Sequence, residues 1–109
     1  MTLLYVALGA ALGAPTRYVL GHLLDRRVPW GTILVNVVGS FVLGVVSGAG
    51  LSAGSRAFVG VGFCGALTTY SAFAVQTHDR GPRWGLVNVL LTVPFALAAC
   101  ALGFALGQA

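Results

Sequence analysis

Lysine and glutamate are absent from this 109-residue chain. Its only fully charged side chains are six arginines and two aspartates, 7% of the residues, against 58% hydrophobic. Soluble domains carry about a quarter charged residues, and a surface with so few would not stay in solution. The shortage excludes a soluble globular enzyme and a disordered chain. It also excludes a nucleic-acid binder, which would gather its basic side chains on a polar face. Cysteine is scarce too. Cys64 and Cys100 both fall inside apolar runs, where an unpaired thiol acts as a small buried hydrophobe. Those runs hold no nucleophile–base pair and no carboxylate dyad, so no catalytic residues are expected and the chain does not read as an enzyme. His22 has no second His or Cys at ligand spacing, which removes a catalytic metal.

What remains is apolar length. Mean hydropathy is +0.94. Residues 28–55, 57–78 and 84–109 carry no formal charge, and the first 24 residues carry only Arg17. A helix needs about 20 apolar residues to cross roughly 30 Å of hydrocarbon. The spacing predicts four transmembrane helices, at about 3–24, 30–51, 57–77 and 84–107, in one all-α membrane domain over residues 1–109. The connections at 25–29, 52–56 and 78–83 hold Pro, Gly, Ser or Asp, the chemistry of turns. Trp30 and Trp84 stand at helix starts, where amphipathic rings favour the headgroup level. No basic segment precedes the first run, so a cleaved signal peptide is not expected.

Polar residues within the spans carry the functional information. Thr32, Asn36, Ser40 and Ser47 fall within about 80° of one another on the second helix at 100° per residue. An amide in lipid has to face protein or water. It is either an interhelical hydrogen bond or a wet pore lining, and three hydroxyls on the same stripe favour the lining. Gly44 and Gly48 form a neighbouring small strip suited to close helix contact. In the third span Gly60, Gly62 and Gly65 precede Thr68-Thr69-Tyr70-Ser71. Gly and Thr weaken a helix, and a break there would free carbonyls able to bind a small cation. A Gly-rich packing helix whose Thr hydroxyls bond back to their own carbonyls is the alternative. Tyr70 and Phe73 share a face, as core or as site. Asn88 and Thr92 share a face of the fourth helix, ahead of Pro94, as a second lining or a helix contact. Gly9 and Gly13 suit close packing, and Arg17, one more turn along, either snorkels outward or faces a water-filled vestibule.

Three segments then match a family. Gly13-Ala14-Pro15-Thr16-Arg17-Tyr18 resembles the G-A-x-x-R-Y motif of the Fluc (CrcB) fluoride channel family. Residues 31–41, GTILVNVVGSF, resemble its G-T-x-x-x-N-x-x-G-S-F, and residues 62–73, GFCGALTTYSAF, resemble its G-x-x-G-G-x-T-T-F-S-T-F. The resemblance covers essentially the whole chain. It implies a passive, fluoride-specific channel in a bacterial plasma membrane that exports fluoride and lowers its toxicity. It implies an antiparallel dimer of oppositely inserted subunits with a third helix broken at mid-membrane. A structural sodium ion at the dimer centre would be held by backbone carbonyls, which match Gly65 and Thr68. The anion pathway would be lined by Asn36, by the ring edges of Tyr70 and Phe73, and by the hydroxyls of Ser71 and Thr92. Arg17 matches the family's first-helix arginine at the vestibule. Tyr70 stands where the family usually has Phe, and Ala66 and Ala72 replace Gly and Thr.

Two other classes are weighed against this one. Small multidrug transporters share the size and the four spans but need a membrane-embedded glutamate, which this chain lacks. A structural or partner subunit of a heterodimeric channel, with little conduction of its own, is compatible with the Tyr70 departure. The expected partners are fluoride, the lipid bilayer, and a second copy or an oppositely oriented paralogous subunit, with no nucleic acid.

Arginine placement bears on orientation. The loops after the first and third spans carry Arg26, Arg27, Arg80 and Arg83, and the opposite side carries only Arg56, a ratio of four to one. Short loops rich in arginine stay in the cytoplasm, so one orientation is favoured, with both termini outside. A cysteine tag beside Gly81, in protein expressed alone, should react with a membrane-impermeant reagent from the cytoplasmic side only. Equal labelling from both sides would mean that the chain inserts both ways.

Overall fold

A computed structural model of the chain describes residues 2–26, 28–68 and 70–109, the side chains of residues 70–72 excepted. Helix α1 runs Thr2–Leu24, α2 Trp30–Ala49, α3 Ala53–Leu67, α4 Tyr70–Asp79 and α5 Gly81–Gln108. Three of these, α1, α2 and α5, are long and apolar enough to cross a membrane, and α3 is a shorter apolar helix. No strand occurs among the described residues.

The breaks follow local chemistry. Gly50 ends α2 in the left-handed conformation at φ 65°, which side chains other than glycine rarely adopt. Ser52 caps α3, its Oγ accepting the backbone N–H of Ser55 at 3.3 Å. Within α3 the stretch Arg56–Cys64 is wound as a wider π-helix. Thr68 is extended at φ −78°, ψ 156°, and the chain is helical again from Tyr70. The third apolar run is therefore two helices, α3 and α4, with a non-helical residue at the junction. Thr69, the second hydroxyl of the predicted break, lies outside the described residues.

Polar side chains are buried beside a small apolar core while most large apolar ones face outward, unlike a soluble domain. Asn88 is 0% exposed, and Thr32, Asn36 and Thr92 are buried. Leu3 is 84% exposed, and Leu12, Leu86, Leu97 and Leu102 also face outward. An isolated exposed leucine needs no explanation, but a whole surface of them needs a lipid solvent.

Glycines bring the helices together. A Cβ on Gly44 or Gly48 of α2 would strike the carbonyls of Cys100 and Phe104 of α5. A Cβ on Gly103 or Gly107 of α5 would strike the carbonyls of Phe41 and Val45 of α2. The contacts advance together along both helices, so α2 and α5 run in the same direction. The same holds for α1 and α3. Gly9 and Gly13 lie on the Phe58 and Phe63 carbonyls, and a Cβ on Gly62 would come within 2.5 Å of the Val6 carbonyl. The small strip of the second helix and the glycines of the first therefore serve close packing, as their spacing suggests.

Gly44→Ala, Gly62→Ala and Gly103→Ala each push a methyl into backbone that cannot yield. Each should lower stability by roughly 1–3 kcal/mol. Gly60→Ala meets only the side chains of Val46 and Leu43, at 3.5 and 3.9 Å, and should be near neutral. Denaturant titration in detergent micelles reads the difference.

Candidate ion pathway

A cavity of about 400 Å³ opens between α2, α3, α4 and α5. Asn36 and Ser40 line it from α2, Cys64 and Gly65 from α3, Thr68 from the junction, Phe73 from α4 and Thr92 from α5. Five of the eight site residues that the resemblance implies thus share one cavity: Asn36, Gly65, Thr68, Phe73 and Thr92. Among the described residues no formally charged side chain lines it. Arg17 sits elsewhere, half-buried on α1, with no hydrogen bond or ion pair to another described residue. The side chains of Tyr70 and Ser71 lie outside the described residues.

Thr68 is committed locally. Its hydroxyl donates back to the Cys64 carbonyl at 2.8 Å, its N–H donates to the same carbonyl at 2.9 Å, and its methyl packs where a Cβ on Gly39 would stand. The break and the back-bonded hydroxyl, alternatives in sequence, occur together. Because α3 stops at Leu67, its last carbonyls have no continuing helix to bond. Gly65 has open space around its Cα, with nothing within 4 Å of a would-be Cβ.

Asn88 turns out to join helices. Its Nδ2 donates to the Thr77 hydroxyl at 3.0 Å and to the Phe73 carbonyl at 3.5 Å, and its Oδ1 accepts the Thr92 hydroxyl at 3.1 Å. This pins α4, with Phe73, against α5. Thr92 reaches the cavity, but its proton is given to Asn88.

The second-helix stripe divides in the same way. Asn36 is 8% exposed and lines the cavity with Ser40. Thr32 is tied instead to Asp25, which accepts its backbone N–H and its hydroxyl, each at 3.0 Å. Ser47 is exposed and outside the cavity lining. Asp25, legible in sequence only as a loop charge, also accepts Gln76 Nε2 at 3.1 Å.

The family model described as CrcB-like protein, Camphor Resistance (CrcB), matches residues 4–104. The chain belongs to the CrcB family. It is 50% identical to the fluoride-specific ion channel FluC 2 of Rhodococcus jostii (strain RHA1), over 97% of this chain and 98% of that one. It is 44% identical to FluC 2 of Natronomonas pharaonis, over 100% and 97%, and 40% identical to FluC 1 of Frankia casuarinae (strain DSM 45818), over 100% and 98%. With its membrane-length helices and lipid-like exterior, this CrcB chain is a multi-pass membrane protein.

In this CrcB chain Asn88 is the polar residue whose loss should loosen the pathway wall. Asn88→Ala leaves the Thr77 and Thr92 hydroxyls without their partner. Hydrogen bonds between membrane helices contribute about 0.6–2 kcal/mol, so a destabilisation of about 1–2 kcal/mol is expected. Asn88→Gln should not restore it, because in a fully buried site the added methylene carries the amide past these partners.

Proposed function

We propose that this chain is a subunit of a passive fluoride channel that releases fluoride across the plasma membrane. The observation that carries the reading is a cavity, uncharged among the described residues, in which an amide, Asn36, and an aromatic ring, Phe73, stand beside a broken helix. Fluoride is small and strongly hydrated. A path for it has to replace water with close donors and yet not hold the ion so tightly that it cannot leave. An amide N–H donates one hydrogen bond. The rim of an aromatic ring carries the positive end of its quadrupole. Together they receive an anion without a full countercharge. Tyr70 and Ser71 belong to the same proposed lining, and Arg17 to its vestibule.

The working unit in this reading is an antiparallel dimer. The cavity opens on one side of the chain, and polar atoms left to hydrocarbon are costly, which favours a covering subunit. The four-to-one arginine asymmetry favours an oppositely oriented paralogue over a second copy, and the relatives numbered FluC 1 and FluC 2 fit such pairing. A partner subunit that conducts little through its own path is the second form of the same proposal.

A structural sodium ion belongs to the reading, and the residues present fit it. The donors on offer are carbonyls at the C-terminal end of α3, the negative end of a helix dipole. Gly65 leaves that end unobstructed, and the Thr68 side chain is occupied with Cys64. Gly65 and Thr68 would hold the ion through their backbone oxygens. Bound there, it would supply fixed positive potential next to the path.

Asn36→Asp is the decisive variant. A carboxylate in the cavity would oppose an anion by several kcal/mol at the effective dielectric of a partly wet site. Fluoride efflux from liposomes should fall by about a hundredfold or more, with assembly intact. Unchanged efflux would remove Asn36 from the path. No fluoride efflux from the wild-type chain, alone or with its paralogue, would overturn the channel reading.

A further inference from the structure

At the corner where α1 turns into α2, one carboxylate joins three segments. Asp25 directly follows α1. Its Oδ1 accepts the Thr32 N–H at 3.0 Å, and its Oδ2 accepts the Thr32 hydroxyl at 3.0 Å and Gln76 Nε2 at 3.1 Å. Thr32 is the third residue of α2, and Pro29 ahead of the helix caps nothing with its side chain. Asp25 therefore acts as the cap from seven residues upstream, where the helix dipole favours a negative group. The link to Gln76 reaches 51 residues along the chain, into α4. Arg80 adds a second tie to the same corner, its Nε and Nη2 donating to the Arg26 carbonyl at 3.3 and 2.9 Å.

Thr32 precedes Asn36 by four residues on α2, and Gln76 follows Phe73 by three on α4. Residues so spaced are neighbours on one helix face. A carboxylate that holds Thr32 and Gln76 together thus sets the separation of the Asn36 face from the Phe73 face, one turn away on each side. The orientation of the Gln76 amide is fixed for this purpose. Nε2 is turned to Asp25 while Oε1 is buried without a partner among the described residues. A flipped amide would set two acceptors against each other.

We propose that Asp25 is a positioning residue of the anion path, acting through Thr32 and Gln76 on the spacing of Asn36 and Phe73. The inference rests on the channel reading, and its test separates the two. Asp25→Ala cuts all three bonds. Asp25→Asn keeps an acceptor for the Thr32 N–H, and a rotated Gln76 can offer Oε1 to the new NH₂, so the tie survives without the charge. Gln76→Ala keeps the cap of α2 and removes only the link to α4.

Two readouts are taken on the assembled channel. The first is fluoride efflux per reconstituted channel. Asp25→Ala and Gln76→Ala should lower it by about tenfold or more, as small misplacements of positioned groups do, and Asp25→Asn should restore most of it. The second needs no transport. Spin labels at Leu34→Cys and Val75→Cys, both exposed positions, are placed in a Cys64→Ala, Cys100→Ala background diluted with unlabelled chain. Their distance distribution should broaden in Asp25→Ala and Gln76→Ala and stay narrow in Asp25→Asn. An unchanged distribution in Gln76→Ala would overturn the proposal, and this variant decides if Asp25→Ala does not assemble. Asp25→Asn behaving like Asp25→Ala would also overturn it, because charge and not the tie would then be what matters. A wild-type chain without efflux would remove the channel reading, and the distances would still judge the positioning.

Discussion

Hydrocarbon does not squeeze helices together, since lipid tails are as apolar as leucine, and it offers no hydrogen bonds. The helices of this chain therefore hold where their backbones can touch. On α2 and α5 the contact is reciprocal: Gly44 and Gly48 admit carbonyls of α5, and Gly103 and Gly107 admit carbonyls of α2. Gly9, Gly13 and Gly62 make the second seam, between α1 and α3. Large side chains are thereby sent outward, where Leu86, Leu97 and Leu102 meet the solvent that suits them. The absence of a side chain at a few positions determines where all the others go.

The same solvent sorts the polar groups. A hydroxyl or amide inside the span has to find protein or water, and most here find protein. Thr92, Asn88 and Thr77 form one chain of hydrogen bonds, and Asp25, Thr32 and Gln76 form another. Both end on α4, the short helix carrying Phe73, which has no glycine seam with α1 or α2 to hold it. Gly85 does bring α4 close to α5, lying on the Thr77 carbonyl. Polar ties thus supply on α4 much of what backbone contact supplies elsewhere, and they leave Asn36 and Phe73 on the wall of a shared cavity.

Much of this was legible because its signals are local. Charge-free runs mark the helices, four-residue glycine spacing marks the seams, and Gly65 followed by Thr68 marks the break. Asn36 stood out as an amide on an apolar helix. What could not be read is pairing at a distance. Asp25 sits in a charged loop, and nothing in its neighbourhood says that its partner is Gln76, 51 residues on. Asn88 and Thr92 allowed a lining or a contact, since helical spacing gives a face but not what faces it. Thr32 and Ser47 lay on the right stripe and were assigned to the cavity by periodicity alone. The helix end at Asp25 claimed the first, and the second is exposed. The π-winding of Arg56–Cys64 has no sequence signature in this chain.

For the channel proposed above, the broken helix presents an electrostatic problem. A helix that stops at Leu67 ends in carbonyls, equivalent to about half a negative charge. That end lies beside the cavity through which an anion would pass. Left bare, it would raise the barrier for an anion; across the break the N-terminal end of α4 has the opposite sign, and among the described residues no arginine lines the cavity. A monovalent cation held on those carbonyls, as proposed, would turn the local sign without introducing a titratable or mobile side chain. It would also let the rest of the wall be neutral. With the helix end so compensated, an amide and a ring rim would replace water around the ion without gripping it as a buried guanidinium would. On this argument the break at Thr68 and the lack of charge around Asn36 would be a single device, each depending on the other.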